Sequence, residues 1–342
     1  MEAILKRVYW ETTSGCNLRC IHCRRLDVPD QPSPQDLTTD QAKDLINELS
    51  SFGKPVLILS GGEPLLRRDI LGIASYAKHA GLAVGMATNG TLVNENIARE
   101  IRDSGIHYAS VSLDGAISRT HDIFRGAGSF EKALRGFSHL REAGIKVQIN
   151  LTVTRGNVRE VSETYDLAAR LGACALYLFL LVPVGCGEEI ADSEMLSSDE
   201  VERWLEWVDE KDKSGVLPVK AICAPHFYRV ERQRKGVLVH PDSQDSRKGC
   251  LAGIHMCFVS NRGEVFPCGY LPVSCGNVTR KPLREIWRDS ETLQKLRNPD
   301  LLEGACGVCS FKTICGGCRA RAYGVSKNLL AEEPYCAYQP VS

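Results

Sequence analysis

Apolar positions in the first 182 residues follow two alternating rhythms. Six short runs rich in β-branched, aromatic and aliphatic residues read as strands: VYWET from Val8, PVLILS from Pro55, LAVGMAT from Leu82, IHYASVSL from Ile106, KVQINLTV from Lys146 and CALYLFLLV from Cys174. Between them stand helix-patterned segments: TTDQAKDLINELSSFG, DILGIASYAKHAG, NENIAREIRDSG, SFEKALRGFSHLREAG and VREVSETYDLAARLG. These close on Gly53, Gly81, Gly105, Gly144 and Gly172, the residue type that most readily takes the left-handed turn ending a helix. Repeated strand–helix units imply a parallel sheet. Six units are too few for the closed eight-fold barrel, while a partial (β/α)6 barrel and an open doubly wound sheet both fit. In either case chemistry belongs at the carboxyl ends of the strands, where the loops carrying Cys16, Gly61, Asn89, Asp114 and Pro183 begin.

Beyond Val182 the rhythm changes to a glycine-bearing loop, a helix over SSDEVERWLEWVDEKDK and a polar stretch ending near Gly249. A boundary between 212 and 222, drawn at 215/216, gives a core of residues 1–215 and a C-terminal module of residues 216–342. At 342 residues and 43% hydrophobic content, the chain has enough apolar material for one large domain and a smaller one. Its 42 basic and 42 acidic residues cancel, so no global field draws it to nucleic acid or an anionic membrane. The opening MEAILKRVYWETTSGC lacks a secretory pattern, and no run approaches the ~20 apolar residues of a membrane span. The cytoplasm is the expected address. Fifteen cysteines in a reducing compartment read as metal or cluster ligands rather than disulfides, and nine of them lie from Cys250 onward.

Cys16, Cys20 and Cys23 stand in GCNLRCIHC directly after the first strand. Four thiolates saturate a [4Fe–4S] cluster, whereas three leave one iron open to a substrate or cofactor. The competing reading is a zinc site of three thiolates completed by His22, although His22 adjoins Cys23 and is poorly placed to share its metal. The triplet, with its three- and two-residue gaps, resembles the signature of the radical S-adenosylmethionine (SAM) superfamily. Its catalytic residues would then be Cys16, Cys20 and Cys23, with His22 near the adenine. The second strand runs into Gly61, Gly62, Glu63 and Pro64, which resembles the family's loop for the methionyl amino group. Later strand ends add Asn89, Ser112, Asp114, FRG at Arg125, Asn150 and Leu181. The resemblance gives Ser112 and Arg125 to the SAM carboxylate or ribose, Asn150 to the ribose and Leu181 to the adenine face. Asn89 and Asp114 serve equally well as strand-terminating residues.

The run Cys306-x2-Cys309-x5-Cys315-x2-Cys318, preceded by Cys250, Cys257 and Cys268 and followed by Cys336, points to metal. It is similar to the SPASM extension of radical SAM enzymes, including that extension's Gly-x4-Cys element at Gly263–Cys268. The similarity implies two auxiliary [4Fe–4S] clusters, one on Cys250, Cys257, Cys268 and Cys318 and one on Cys306, Cys309, Cys315 and Cys336. The last gap of the run is one residue shorter than usual, which leaves Cys318 in question and Cys275 as a spare. Two closed zinc sites are the competing reading. Cys174, Cys186 and Cys223 are expected to be non-ligands.

Longer strings, among them RVYWETTSGCNLRCIHCRR, LFLLVPVGCGEEIAD, CAPHFYRV, PCGYLPVSCGNV and CGGCRARAYG, resemble the heme synthases of the siroheme-dependent pathway from Val8 to Cys336. That resemblance implies oxidative decarboxylation of two propionates of iron-coproporphyrin III to vinyl groups through a 5′-deoxyadenosyl radical. A low-potential donor such as flavodoxin or ferredoxin would supply the electron, and an auxiliary cluster would take up the surplus one. Carboxylates of the porphyrin call for guanidinium groups, for which Arg24, Arg25 and Arg229 are candidates, while His226 and Tyr228 could ligate iron or donate a proton. Arg319 and Arg321 could cover the auxiliary clusters. The alternatives are a related tetrapyrrole enzyme that removes didecarboxysiroheme side chains or forms heme d1, a peptide-modifying maturase, and a non-enzymatic iron–sulfur or zinc protein.

Overall fold

The computed structural model describes residues 3–236 and 249–340. Its first half repeats strand and helix: β1 (Arg7–Glu11), α1 (Thr39–Ser51), β2 (Val56–Ser60), α2 (Ile70–His79), β3 (Val84–Thr88), α3 (Glu95–Asp103), β4 (Tyr108–Ser112), α4 (Ser118–Arg125), α5 (Ser129–Glu142), β5 (Lys146–Val153), α6 (Val161–Leu171) and β6 (Leu176–Leu180). Two single turns, α7 (Cys186–Glu189) and α8 (Ala191–Glu194), lead into α9 (Ser198–Ser214), β7 (Val219–Ile222) and α10 (Phe227–Arg234). The C-terminal part adds β8 (Met256–Val259), β9 (Glu264–Phe266), β10 (Gly276–Asn277), α11 (Leu283–Asp289), α12 (Glu291–Arg297), α13 (Gly304–Gly307) and α14 (Arg319–Ser326).

The helix boundaries have local causes. Thr38 and Gln41 form a capping box at the start of α1, and Ser197 and Glu200 form another on α9, each pairing backbone N–H groups that the first turn leaves free. Asn94 caps α3 through the Ile97 amide. Apolar residues at helical spacing, such as Ala42, Leu45, Ile46 and Leu49 on α1, are buried against the sheet. Val8, Trp10, Leu57, Leu59, Met86, Ile149, Leu151 and Leu178 supply the sheet's side of the same core.

All ten strands form one sheet in the order β10-β9-β8-β1-β2-β3-β4-β5-β6-β7, parallel from β8 through β7 and antiparallel at β8–β9–β10. The architecture is the α/β parallel type expected, with the six anticipated strands at its centre. Two features differ from the sequence reading, and one sheet spans both parts of the chain. The line at 215/216 falls in the connection between α9 and β7, and the sheet crosses it: β7 joins β6 at one side while β8 joins β1 at the other. Neither VKAI nor MCFV is long enough to stand out as a strand, and pairing with a longer buried neighbour supplies what propensity does not. FRG is not a strand end, because Arg125 is the last residue of α4, a helix whose sequence SRTHDIFR is too polar to announce itself.

Candidate active site

The triplet loop leaves the carboxyl end of β1 and is held from three sides. Asp36 accepts hydrogen bonds from the Thr13 hydroxyl (2.6 Å), the Ser14 amide (3.2 Å) and Asn261 Nδ2 (2.7 Å), fixing the chain just ahead of Cys16. The second side is the loop after β2: the Gly62 amide donates to Thr13 O (2.9 Å) and the Glu63 amide to Gly15 O (2.7 Å). A Cβ on Gly62 would lie 2.1 Å from Gly15 O, so only glycine permits this approach. The third side is Asn89, whose Nδ2 lies 3.9 Å from Cys16 Sγ and donates to Asn17 Oδ1 (2.9 Å).

Glu63, in the loop that resembles the one for the methionyl amino group, also has partners within the protein. It is wholly buried and accepts from the Thr88 hydroxyl (2.8 Å), the Asn89 amide (2.8 Å) and the Leu65 amide (3.2 Å), tying the β2 and β3 loops together. Burial pushes its carboxyl up to about 7 despite those donors. Pro64 opens a short 3-10 turn behind it.

Cys20 meets a buried polar cluster. Arg125 directs Nε to Asp114, Nη1 to Cys20 Sγ (3.7 Å) and Nη2 toward His22 Nε2 (3.3 Å). Asp114 is fully buried, accepts from the Thr152 amide (2.7 Å) and lies 3.3 Å from His22 Nε2; Arg125 holds its carboxyl below the usual range against the opposing effect of burial. Burial drives His22 down to about 4, which keeps the imidazole neutral, with its edge toward Phe124. Asp114 and Arg125 thus act as a pair across the triplet loop. Ser112 and Asn150 are register partners at the ends of β4 and β5, and Leu181 is buried just past β6.

Arg24 and Arg25 are not free forks. Both pair with Glu11 at the end of β1, at 2.6 and 2.9 Å, and Arg24 also lies 4.4 Å from the centre of the Phe258 ring. The trio retains one net positive charge. Tyr270 stands among Arg24, Cys23, Cys223 and Cys268, and burial suppresses its ionisation. Glu11, Asp36 and Tyr270 were missed in the sequence; the signal for Glu11 was an acid inside a strand otherwise destined for the core.

The C-terminal cysteines form two groups. Cys306, Cys309, Cys315 and Cys336 line one cavity of about 210 Å³, together with His226 and Arg229. His226 and Arg229, expected to face the substrate, are placed by the fold beside these four cysteines. Arg229 grips Glu202 with both Nη atoms at 2.6 Å and reaches Cys336 Sγ at 3.8 Å, because α10 packs on α9 and turns this face toward the C-terminal segment. His226 is fully buried with neither ring nitrogen hydrogen-bonded, and Tyr228 rests edge-on against Phe227. In the second group, Cys268 is pushed up to about 12 by burial and by its neighbours Cys250 and Cys318. Cys257 departs from its expected place in that group. It points into the main sheet core with Cys275 and Arg297 as its charged or ionisable neighbours, since strand pairing with β1 fixes its direction. Cys275 goes with it. Among the described residues, no three His, Cys, Asp or Glu side chains converge on a single metal ion, as a zinc site requires.

Arg321 does more than cover a cluster. Fully buried on α14, it pairs with Glu333 (3.0 Å) and donates to the carbonyls of Leu180, Leu181 and Cys223, joining the C-terminal module to the ends of β6 and β7. Arg319 donates to the Leu329 and Ala331 carbonyls and lies 3.9 Å from Cys306 Sγ.

A three-cysteine loop at the carboxyl mouth of a parallel sheet, beside a glycine cradle, is the site of a radical SAM enzyme. The model of the Radical SAM superfamily matches residues 10–168, and that of the SPASM iron-sulfur cluster-binding domain matches residues 250–318. The chain belongs to the radical SAM superfamily, in the branch that carries a SPASM domain. It is 48% identical to the AdoMet-dependent heme synthase of Methanosarcina barkeri, covering 97% of this chain and 96% of that protein. The AdoMet-dependent heme synthase of Nitratidesulfovibrio vulgaris is 43% identical (98% and 93%), and the Fe-coproporphyrin III synthase of Methanosarcina barkeri 33% (96% and 87%). The solved structure of Streptococcus suis SuiB bound to S-adenosylmethionine shares the fold, with a TM-score of 0.77 at 16% identity, over 98% of this chain and 78% of that one.

The residues present fit the cofactors of this class. Cys16, Cys20 and Cys23 suit a cluster with one open iron, Gly61 and Gly62 let the β2 loop close directly on the backbone ahead of Cys16, and the cysteine-lined cavity suits an auxiliary cluster. The protein is an enzyme that uses S-adenosylmethionine and a [4Fe–4S] cluster, with auxiliary iron–sulfur centres in its SPASM domain.

Proposed function

We propose that this enzyme converts iron-coproporphyrin III to heme b by oxidative decarboxylation of two propionates. The observation that carries the reading is the 48% identity to an AdoMet-dependent heme synthase over nearly the full length of both chains, against 33% for a synthase named for iron-coproporphyrin III itself. When bound, the open-iron cluster and S-adenosylmethionine supply a 5′-deoxyadenosyl radical. Each propionate then loses one hydrogen atom, carbon dioxide and one electron to become a vinyl group, so an electron sink is required and the auxiliary centres suit it.

The chain's own residues bind, orient and shield. Arg125 and Asp114 hold the triplet loop, with Arg125 placing positive charge beside Cys20, and the Gly61–Gly62 backbone, Ser112, Asn150 and Leu181 frame the SAM site. Arg24 and Arg25 share a single carboxylate, so one guanidinium charge is left for a substrate propionate. A flavodoxin or ferredoxin in the reducing cytoplasm would deliver the electron that starts each turnover.

The test is an anaerobic reaction of the reconstituted, reduced protein with S-adenosylmethionine and iron-coproporphyrin III, read by mass spectrometry. Heme b and a monovinyl intermediate are expected. Formation of 5′-deoxyadenosine with the porphyrin unchanged would overturn the substrate and leave the superfamily standing.

A further inference from the structure

The second cysteine group needs a fourth sulfur once Cys257 is turned into the core. We infer that Cys223, at the carboxyl end of β7, completes the auxiliary centre formed by Cys250, Cys268 and Cys318, and that Cys257 is not a ligand.

Three observations converge on it. Cys223 and Cys268 pack with buried Cys318 in one side-chain cluster, separate from the sheet core that holds Cys257 and Cys275. The ionisable groups beside the Cys223 thiol are Cys318, Cys268 and Arg321. The segment carrying Cys250 abuts the same turn: a Cβ on Gly249 would meet Pro225 Cβ at 2.7 Å and Pro225 O at 2.8 Å. The backbone is also held there. Cys223 adopts a left-handed φ of 56°, shared among the described non-glycine residues only by Lys54 and Lys327, and Arg321 Nη2 donates to its carbonyl at 2.7 Å. Iron binding would displace the Cys223 thiol proton, as thiolate ligation does generally.

Four thiolates close the coordination of this centre and leave no iron exposed to bind a substrate. The centre is therefore an outer-sphere electron acceptor. Tyr270 has Cys23 of the triplet as well as Cys223 and Cys268 among its neighbours. The inference rests on the SPASM assignment and not on the tetrapyrrole substrate, so it stands or falls separately from the proposed reaction.

The experiment compares Cys223→Ser, Cys257→Ser and wild-type holoprotein, each reconstituted anaerobically without substrate. The readouts are iron and sulfide content, Mössbauer spectra and the electron paramagnetic resonance of the reduced auxiliary centres. Cys223→Ser is expected to lose one cluster's complement of iron, or to keep it with a shifted auxiliary signal from oxygen ligation, while Cys257→Ser matches wild type. Wild-type iron and spectra in Cys223→Ser, or cluster loss in Cys257→Ser, would overturn the inference. Should Cys223→Ser fail to fold, alkylation of the wild-type protein before and after cluster removal decides the matter. Labelling of Cys223 only after removal supports ligation, and equal labelling in both states refutes it.

Discussion

Glu63 has three hydrogen-bond donors and no cation beside it, and burial outweighs the donors, so its carboxyl titrates near 7 rather than at 4.5. A group whose folded value is raised stabilises the fold fully below its ordinary value, and that contribution disappears as pH climbs through 7. Glu63→Gln should therefore be less stable than wild type at pH 5, by about 1–3 kcal/mol through the lost Asn89 clamp, with the gap narrowing toward pH 8. Thermal unfolding of the two reconstituted proteins across that window would check it; a gap independent of pH would refute the ionisation argument. Arg125 presents a sharper case. Arg125→Ala strands a fully buried Asp114, which should destabilise the protein by about 3–5 kcal/mol and lower triplet-cluster iron together with 5′-deoxyadenosine yield. Their pairing could not be read from the sequence, where Asp114 serves equally well as a strand terminator and the FRG string points Arg125 toward SAM rather than toward Asp114.

Among the elements, α14 bears on how the two halves stay together. Its Arg321 is buried against Glu333 and three carbonyls from the far side of the sheet, an arrangement that a lysine cannot copy because one ammonium does not present a planar fork. Arg321→Met should cost about 3–5 kcal/mol by leaving Glu333 unpaired, and should speed proteolytic release of the C-terminal segment. Unchanged proteolysis would show that other contacts hold the module. The helices of the core were legible because apolar faces and terminal glycines agree, as in α6, joined in α1 by a capping box. The cysteine motifs were legible as metal signals through spacing alone. Spacing says nothing about how distant segments fold back, however. Cys257 sits close in sequence to Cys250 yet belongs to the core through its pairing with β1, while Cys223 lies across a long polar stretch and returns through β7.

On the scale of the whole molecule, β1 lies inside the sheet, between β2 and β8. The C-terminal region also reaches the N-terminal strand through Trp287 Nε1, which donates to Ala3 O at 2.6 Å, and through Asn261, which binds Asp36 and Glu11. A chain stopped at residue 249 would leave β1 as a bare edge and uncover Val8 and Trp10, so it should aggregate rather than yield an isolated core. Soluble, monomeric material with protease resistance equal to the full chain would contradict this. The same arrangement has a consequence during synthesis on the ribosome. The first strand to emerge waits for a partner made roughly 250 residues later, a very non-local pairing of the kind that forms slowly. The loop holding Cys16, Cys20 and Cys23 leans on Asp36, which is itself held by Asn261 from that late region. The loop that carries the catalytic cysteines is accordingly braced in full only after Asn261 has been made, long after Cys23 itself.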